Sequence, residues 1–195
     1  MPPAKLSAKK TAVLDACVLY SGMLRGFLLC LAEDNLFKPF WSAEIHVEWL
    51  RSLLRNRPDL KREKLEQTRR NMDFRFPDSL VRGYESIIPT LHLPDPDDRH
   101  VLAAAIQAKA QHIVTFNISD FPKSVLAFYQ VEAILPDDFT MHVMQYAPEA
   151  FMETTAKHRA ILTRPPQTVD EYLATQEDQG LHKTVAFLRE HKNNI

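Results

Sequence analysis

The acids of this chain stand where they could act on a common target. Asp15 ends the apolar run Thr11 to Leu14, and Asn117 and Asp120 follow the run His112 to Phe116. Asp95, Asp97 and Asp98 precede the alanine-rich stretch "DDRHVLAAAIQAKA". Glu44 and Glu48 are four apart in "AEIHVEWLRSLLRN" and so share one helix face. Carboxylates gathered at one place repel and resist ionising together. A hard divalent cation removes that conflict: magnesium and manganese take oxygen donors and complete their shells with water and substrate phosphate. An ion held in this way can activate water for in-line displacement at a phosphodiester.

The elements that must position these acids alternate in type. Thr11 to Leu14 predicts a buried strand, and "RGFLLCLAEDNLF" a helix packing Phe27, Leu28, Leu31 and Ala32. Phe37 to Trp41 predicts a second strand, and Ser42 stands at the N-cap of a helix that buries Ile45, Trp49, Leu50, Leu53 and Leu54. After Arg57-Pro58-Asp59 a charged helix runs to Pro77, "SLVRGYESII" predicts another short helix, and "PTLHLPDPDD" a connection. Asp97 or Asp98 is expected to cap the alanine-rich helix, which leads into the strand His112 to Phe116. "KSVLAFYQ" gives one more helix and "VEAIL" a strand closing at Pro136. Such alternation implies an α/β fold with a mostly parallel sheet. Ligands bind such sheets at the carboxyl ends of the strands, where Asp15, Asn117 and Asp120 lie. Beyond about residue 140 only helices are expected, opened by Pro148 and by a Thr168-x-x-Glu171 capping box and punctuated by Gly180.

Composition narrows the partners. A hydrophobic share of 45% supplies a core, and a formal net charge of −1 excludes a generally basic nucleic-acid binder. Any RNA contact must be local. Arg51 to Arg70 is the basic stretch, and Arg55, Arg57 and Arg62 are its candidate substrate-binding residues; a solvated helix face is the plain alternative. Cys17 and Cys30 lie in apolar surroundings without metal-ligand spacing, as in a reduced cytoplasmic protein. Cys17, two residues past Asp15 on an extended strand, is expected to pack rather than to act as a nucleophile. The histidines form no zinc motif and are expected to be surface or satisfied residues. Asp15 interrupts the early apolar run, which argues against a signal peptide, and the run Gly26 to Ala32 is too short for the roughly 20 residues that span a bilayer. The expectation is a soluble cytoplasmic protein with no membrane partner.

The segments "TAVLDACVLYSG", "WSAEIHVEWLRSLL", "PDPDDRHVLAAAIQAKAQHIVTFNISDFP" and "ILPDDF", in that order, resemble the PIN-domain ribonucleases, many of which are VapC-type toxins of bacterial type II toxin–antitoxin pairs. The resemblance implies a three-layer PIN-like α/β fold over residues 11–140, with a central mostly parallel sheet flanked by helices and a helical C-terminal extension over 141–195. It implies a divalent-metal-dependent endoribonuclease using Mg2+ or Mn2+, an RNA substrate, a cognate antitoxin and a homodimer. Asp15 matches the first-strand aspartate, Glu48 the second-helix glutamate six residues after Ser42, and Asp98 the aspartate before the alanine-rich helix. The fourth acid of the family usually ends the "VTxD" strand, where this chain has Asn117. Asp120, one turn further on, is the expected replacement. The expected catalytic and metal cluster is therefore Asp15, Glu48, Asp98 and Asp120, with Asn117 as a supporting ligand. The alternative is a catalytically inactive PIN-fold module that binds RNA or protein. A haloacid-dehalogenase-like phosphatase is disfavoured because its second aspartate would stand at Cys17.

Overall fold

The computed structural model describes residues 10–163 and 165–195. Strand β1 (Lys10–Leu14) is followed by helices α1 (Ala16–Tyr20) and α2 (Gly22–Glu33), strand β2 (Phe37–Phe40), and helices α3 (Ala43–Asn56) and α4 (Arg62–Arg75). Helix α5 (Arg99–Ala108), strand β3 (His112–Val114), the short helix α6 (Lys123–Leu126) and strand β4 (Glu132–Ile134) complete the sheet. Four further helices are α7 (Pro136–Tyr146), α8 (Pro148–Ile161), α9 (Val169–Asp178) and α10 (His182–Glu190). The strands lie in the order β2-β1-β3-β4 and every pairing is parallel, with Val13 opposite Phe40 and Ile113, and Val114 opposite Ile134. This is the three-layer α/β architecture expected. Val13, Leu14, Ile113 and Val114 are completely buried, as strands covered on both faces must be.

Local chemistry explains most boundaries. The Ser42 hydroxyl accepts from Ile45 N at 3.1 Å and starts α3, and Thr168 with Glu171 forms the capping box of α9. The rotation of α3 is fixed from behind. Trp49 Nε1 donates to His46 Nδ1 at 2.9 Å, so the other ring nitrogen carries the hydrogen and donates to Asp73 Oδ1 at 3.0 Å; Trp41 Nε1 donates to the same oxygen at 2.9 Å. With Trp49 and His46 locked into the core, the opposite face of α3 is committed outward.

Four expectations need correction. "SLVRGYESII" is not an α-helix. The backbone of Trp41 bonds to Ser79 and Val81 on either side of Leu80, extending the edge beyond β2, and Gly83 then turns the chain at φ 74°. Tertiary pairing overrides local propensity there. The second strand accordingly ends at Phe40, with Trp41 in an isolated bridge. Cys17 is helical, in α1, rather than on an extended strand. Asp98 occupies the N-cap position of α5, but neither its side chain nor that of Asp97 makes the capping bond; Asp95 instead accepts from Asp97 N at 2.8 Å.

The later helices are tied to the sheet layer through α2 and α7. The expected division at 140/141 falls within α7, which runs unbroken through it. Phe27 of α2 meets Phe151 of α8 edge-to-face at 5.9 Å, and Asp34 accepts from Thr154 Oγ1 at 2.7 Å and Lys157 Nζ at 2.6 Å. The buried Asp137 of α7 accepts from Lys183 N, Thr184 N and Thr184 Oγ1 at 2.8, 2.9 and 2.9 Å, so it caps α10 from 46 residues away. Asp137→Ala is expected to cost about 2 kcal/mol, the usual range for a lost cap with buried donors left unpaired. Urea denaturation measures it, and an unchanged midpoint refutes the clamp.

His158 gives this layer an acid sensitivity. Burial beside Phe27 and Tyr172 pushes its imidazole down to about 4. Between the ordinary value of 6.5 and about 4 the unfolded chain binds the extra proton, so stability falls as pH drops through that window and is level below it. The loss totals roughly 3 kcal/mol. His158→Gln should flatten the acid limb of a pH-dependent unfolding curve, whereas parallel curves contradict this account.

Candidate active site

Asp15 follows β1 at the carboxyl end of the sheet and is 3% exposed. Its Oδ1 accepts from Ala16 N at 2.6 Å, making it the N-cap of α1. Its Oδ2 accepts from Thr115 Oγ1 at 2.6 Å and Cys17 Sγ at 3.1 Å. A carboxylate offers about four acceptor directions, so three donors fix it and leave one free. Thr115 is itself held, accepting from Asn117 N at 3.0 Å. One hydroxyl thus couples the first-strand acid to the backbone of the strand tip that carries Asn117. Burial and the Asp15 charge push the Cys17 thiol up to about 12, so Cys17 is a donor to Asp15 and no thiolate.

Asp15 opens onto a cavity of about 430 Å³ that is also lined by Glu48, Asp98 and Asn117, with Arg51 and Arg55 along one side. Glu48, Arg51 and Arg55 succeed one another on the outward face of α3. Three of the four expected acids and Asn117 therefore meet at one place. Asp120 does not line the cavity. It stands on the turn Ile118–Asp120 with Oδ1 accepting from Ser119 Oγ at 3.3 Å, close enough for its charge to act on Asp98. Burial first, then the charges of Asp15, Asp95, Asp120 and Glu48, push the Asp98 carboxyl up to about 7. Of the other expected substrate-binding residues, Arg57 is occupied by both oxygens of Asp59, at 2.8 and 2.7 Å, and Arg62 is exposed at the start of α4. Arg51 was legible only as one member of the basic stretch; its place on the cavity wall emerges from the α3 register.

His100 is the residue that sequence reasoning passed over. Its side chain is 8% exposed, with Nε2 3.0 Å from Glu48 Oε1 and Nδ1 3.5 Å from Glu44 Oε2. Its position two residues after Asp98, on the opposite side of a helix start, was the available signal.

The four candidate donors on the cavity wall, Asp15, Glu48, Asp98 and Asn117, suit a hard cation in type, since each offers oxygen, and in charge, since a divalent ion relieves the repulsion among the carboxylates that helps to raise Asp98. Among the described residues no three histidine, cysteine, aspartate or glutamate side chains close on one point as a preformed metal cage. Magnesium needs no such cage, since it keeps several waters and is bound through one or two carboxylates with substrate phosphate.

A family model described as a PIN domain matches residues 11–119 of the 195-residue chain, more than half of it. The chain belongs to the PIN-domain family. The PIN match contains Asp15, Glu48, Asp98 and Asn117 and ends one residue before Asp120. A second model, described as the VapC50 C-terminal domain, matches residues 136–190, starting where α7 starts. The chain is 41% identical over 68 residues to "Putative ribonuclease VapC50" of Mycobacterium tuberculosis. That stretch covers 35% of this chain and 40% of that protein, so the chain spans about two fifths of the length of the curated relative it matches. No solved structure matches the chain. No helix among the described residues is long and apolar enough to cross a membrane.

Proposed function

We propose that this PIN protein is a divalent-metal-dependent endoribonuclease, the cytoplasmic toxin of a type II pair held in check by a cognate antitoxin, and a homodimer. The observation that carries the reading is one cavity: Asp15, Glu48, Asp98 and Asn117 face it together, with Arg51 and Arg55 beside them. The ribonuclease named among its relatives supports the substrate class. Asp15 and Asp98 would hold Mg2+ or Mn2+, with Glu48, Asn117 and Asp120 completing the site directly or through water. When bound, the ion supplies Lewis acidity and an activated water.

The chain's own residues do the rest. Thr115, Cys17 and Ala16 N fix the Asp15 carboxylate before any ligand arrives, so no reorganisation is needed there. Arg51 and Arg55, exposed on the cavity side of α3, offer cations to phosphates of a strand laid along that helix. Glu48, at the junction of the acids and the arginines, is placed to accept a proton from an attacking water. Arg57 and Arg62 keep a peripheral part in the proposal, as charges at the far end of α3 and the start of α4.

Attack by water, as opposed to the ribose 2′-hydroxyl, makes a chemical distinction. Cleavage should leave no 2′,3′-cyclic phosphate, and a strand with its 2′-hydroxyls methylated should still be cut. Cyclic-phosphate ends overturn the hydrolytic reading. The inactive binding module is the second reading, favoured by Asn117 in place of an acid and by Asp120 lying off the cavity wall. It expects RNA binding without turnover, and Asn117→Asp would then create activity rather than merely adjust it.

A further inference from the structure

We infer that His100 is a positioning residue: by donating to Glu48 it sets divalent-cation affinity at the cavity without touching the ion. This rests on the function proposed above. Glu48 and Arg51 line the acid cavity and also a neighbouring hollow of about 340 Å³, which Glu44, Asp97 and His100 share. Glu48 thus stands on a ridge between two spaces. A glutamate on a helix surface has several free torsions, and its carboxylate could swing to either side. His100 removes that freedom. Its Nε2 lies 3.0 Å from Glu48 Oε1, and the bond leaves Oε2 for the acid cavity.

The geometry also selects which nitrogen carries the donor. Nδ1 is buried and makes no hydrogen bond; its nearest carboxylate oxygen, Glu44 Oε2, is 3.5 Å away. The contact worth a hydrogen is therefore at Nε2, whichever protonation state the ring adopts. Packing holds the ring itself, since the residue is 7% exposed on the first turn of α5, the helix that also begins next to Asp98. Asp98 and the anchor of Glu48 therefore come from one rigid helix end, and the two carboxylates keep a fixed relation across the cavity. Partners that orient a ligating group in this way commonly govern affinity by 10–100-fold.

The test is calorimetric titration of the full chain with Mn2+, comparing wild type with His100→Leu, His100→Asn and His100→Gln, each checked by thermal unfolding. His100→Leu and His100→Asn, the one unable to donate and the other too short to reach, should bind Mn2+ about 10–100-fold more weakly. His100→Gln, whose amide N–H reaches the same oxygen, should recover most of that loss. A role confined to packing would lower the melting temperature and leave affinity alone. Folded His100→Leu or His100→Asn with wild-type affinity overturns the inference and leaves the nuclease reading standing. Wild type that binds no Mn2+ overturns both.

Discussion

Asp15→Asn folds normally and loses metal-dependent RNA cleavage by roughly 10³-fold or more. The fold survives because the amide oxygen can still accept from Ala16 N, and the Thr115 hydroxyl can turn to accept from the new amide group. The activity does not survive, because the substitution removes the buried charge that three donors have organised and puts an N–H where a cation would sit. Single-turnover cleavage at saturating Mn2+, beside thermal unfolding, separates the two effects. Thr115→Val should fall between wild type and Asp15→Asn, as it leaves the charge and releases one anchor. An Asp15→Asn variant with more than about a tenth of wild-type activity would falsify the assignment of Asp15 as the central ligand.

Asp98→Asn is expected to invert the usual relation between function and stability. Burial first, and then the charges of four other acids, push the Asp98 carboxyl from the ordinary 3.8 up to about 7. A raised acid pKa means that the folded state holds a proton that the unfolded chain has released. Stability is therefore lost as pH rises from about 3.8 through about 7, and the loss is complete above that. After discounting for solvent screening of a partly exposed group, the strain at pH 8 is on the order of 2 kcal/mol. In EDTA, Asp98→Asn should melt several degrees above wild type, at about 2–4 °C per kcal/mol for a chain of this size. With Mn2+ the order should reverse, because binding stabilises only the protein that retains the ligand. Wild type melting at or above the variant in EDTA contradicts the crowding; a variant still stabilised by Mn2+ contradicts the ligand role.

The residues legible in the sequence were those whose roles are local. Asp15 at a strand end, Ser42 as a cap and the Thr168–Glu171 box each announce themselves within four residues, and strand–helix alternation gave the parallel sheet. What escaped was set by partners far along the chain. His100 reaches Glu48 across 52 residues, and Asp137 caps α10 across 46. Neither neighbourhood names its distant partner: the place of His100 two residues after Asp98 puts it near the site without pointing to Glu48. "SLVRGYESII" misled for the same reason: its helical pattern yields to pairing with Trp41, which no window of ten residues contains. At the start of α5 the sequence places Asp98 correctly at the N-cap position but not the use of its side chain, which makes no capping bond. The difference matters for function, because a capping Asp98 would be spent on backbone donors, whereas the actual Asp98 faces the cavity with its carboxylate unused.

Asn117 and Asp120 also divide by geometry. The backbone places Asn117 on the cavity wall and turns Asp120 to its margin, where Asp120 adds charge without lining the space. On this account Asp120→Asn weakens Mn2+ binding less than Asp15→Asn does.

The most direct test of the central claim is cleavage of a labelled mixed RNA pool by purified, antitoxin-free protein in Mn2+, Mg2+ or EDTA, with Asp15→Asn purified in parallel. The account predicts cleavage with either metal, none in EDTA, and none above background from the variant. Folded wild type that binds RNA but leaves it intact in both metals contradicts the nuclease reading and leaves a PIN fold that binds without cutting.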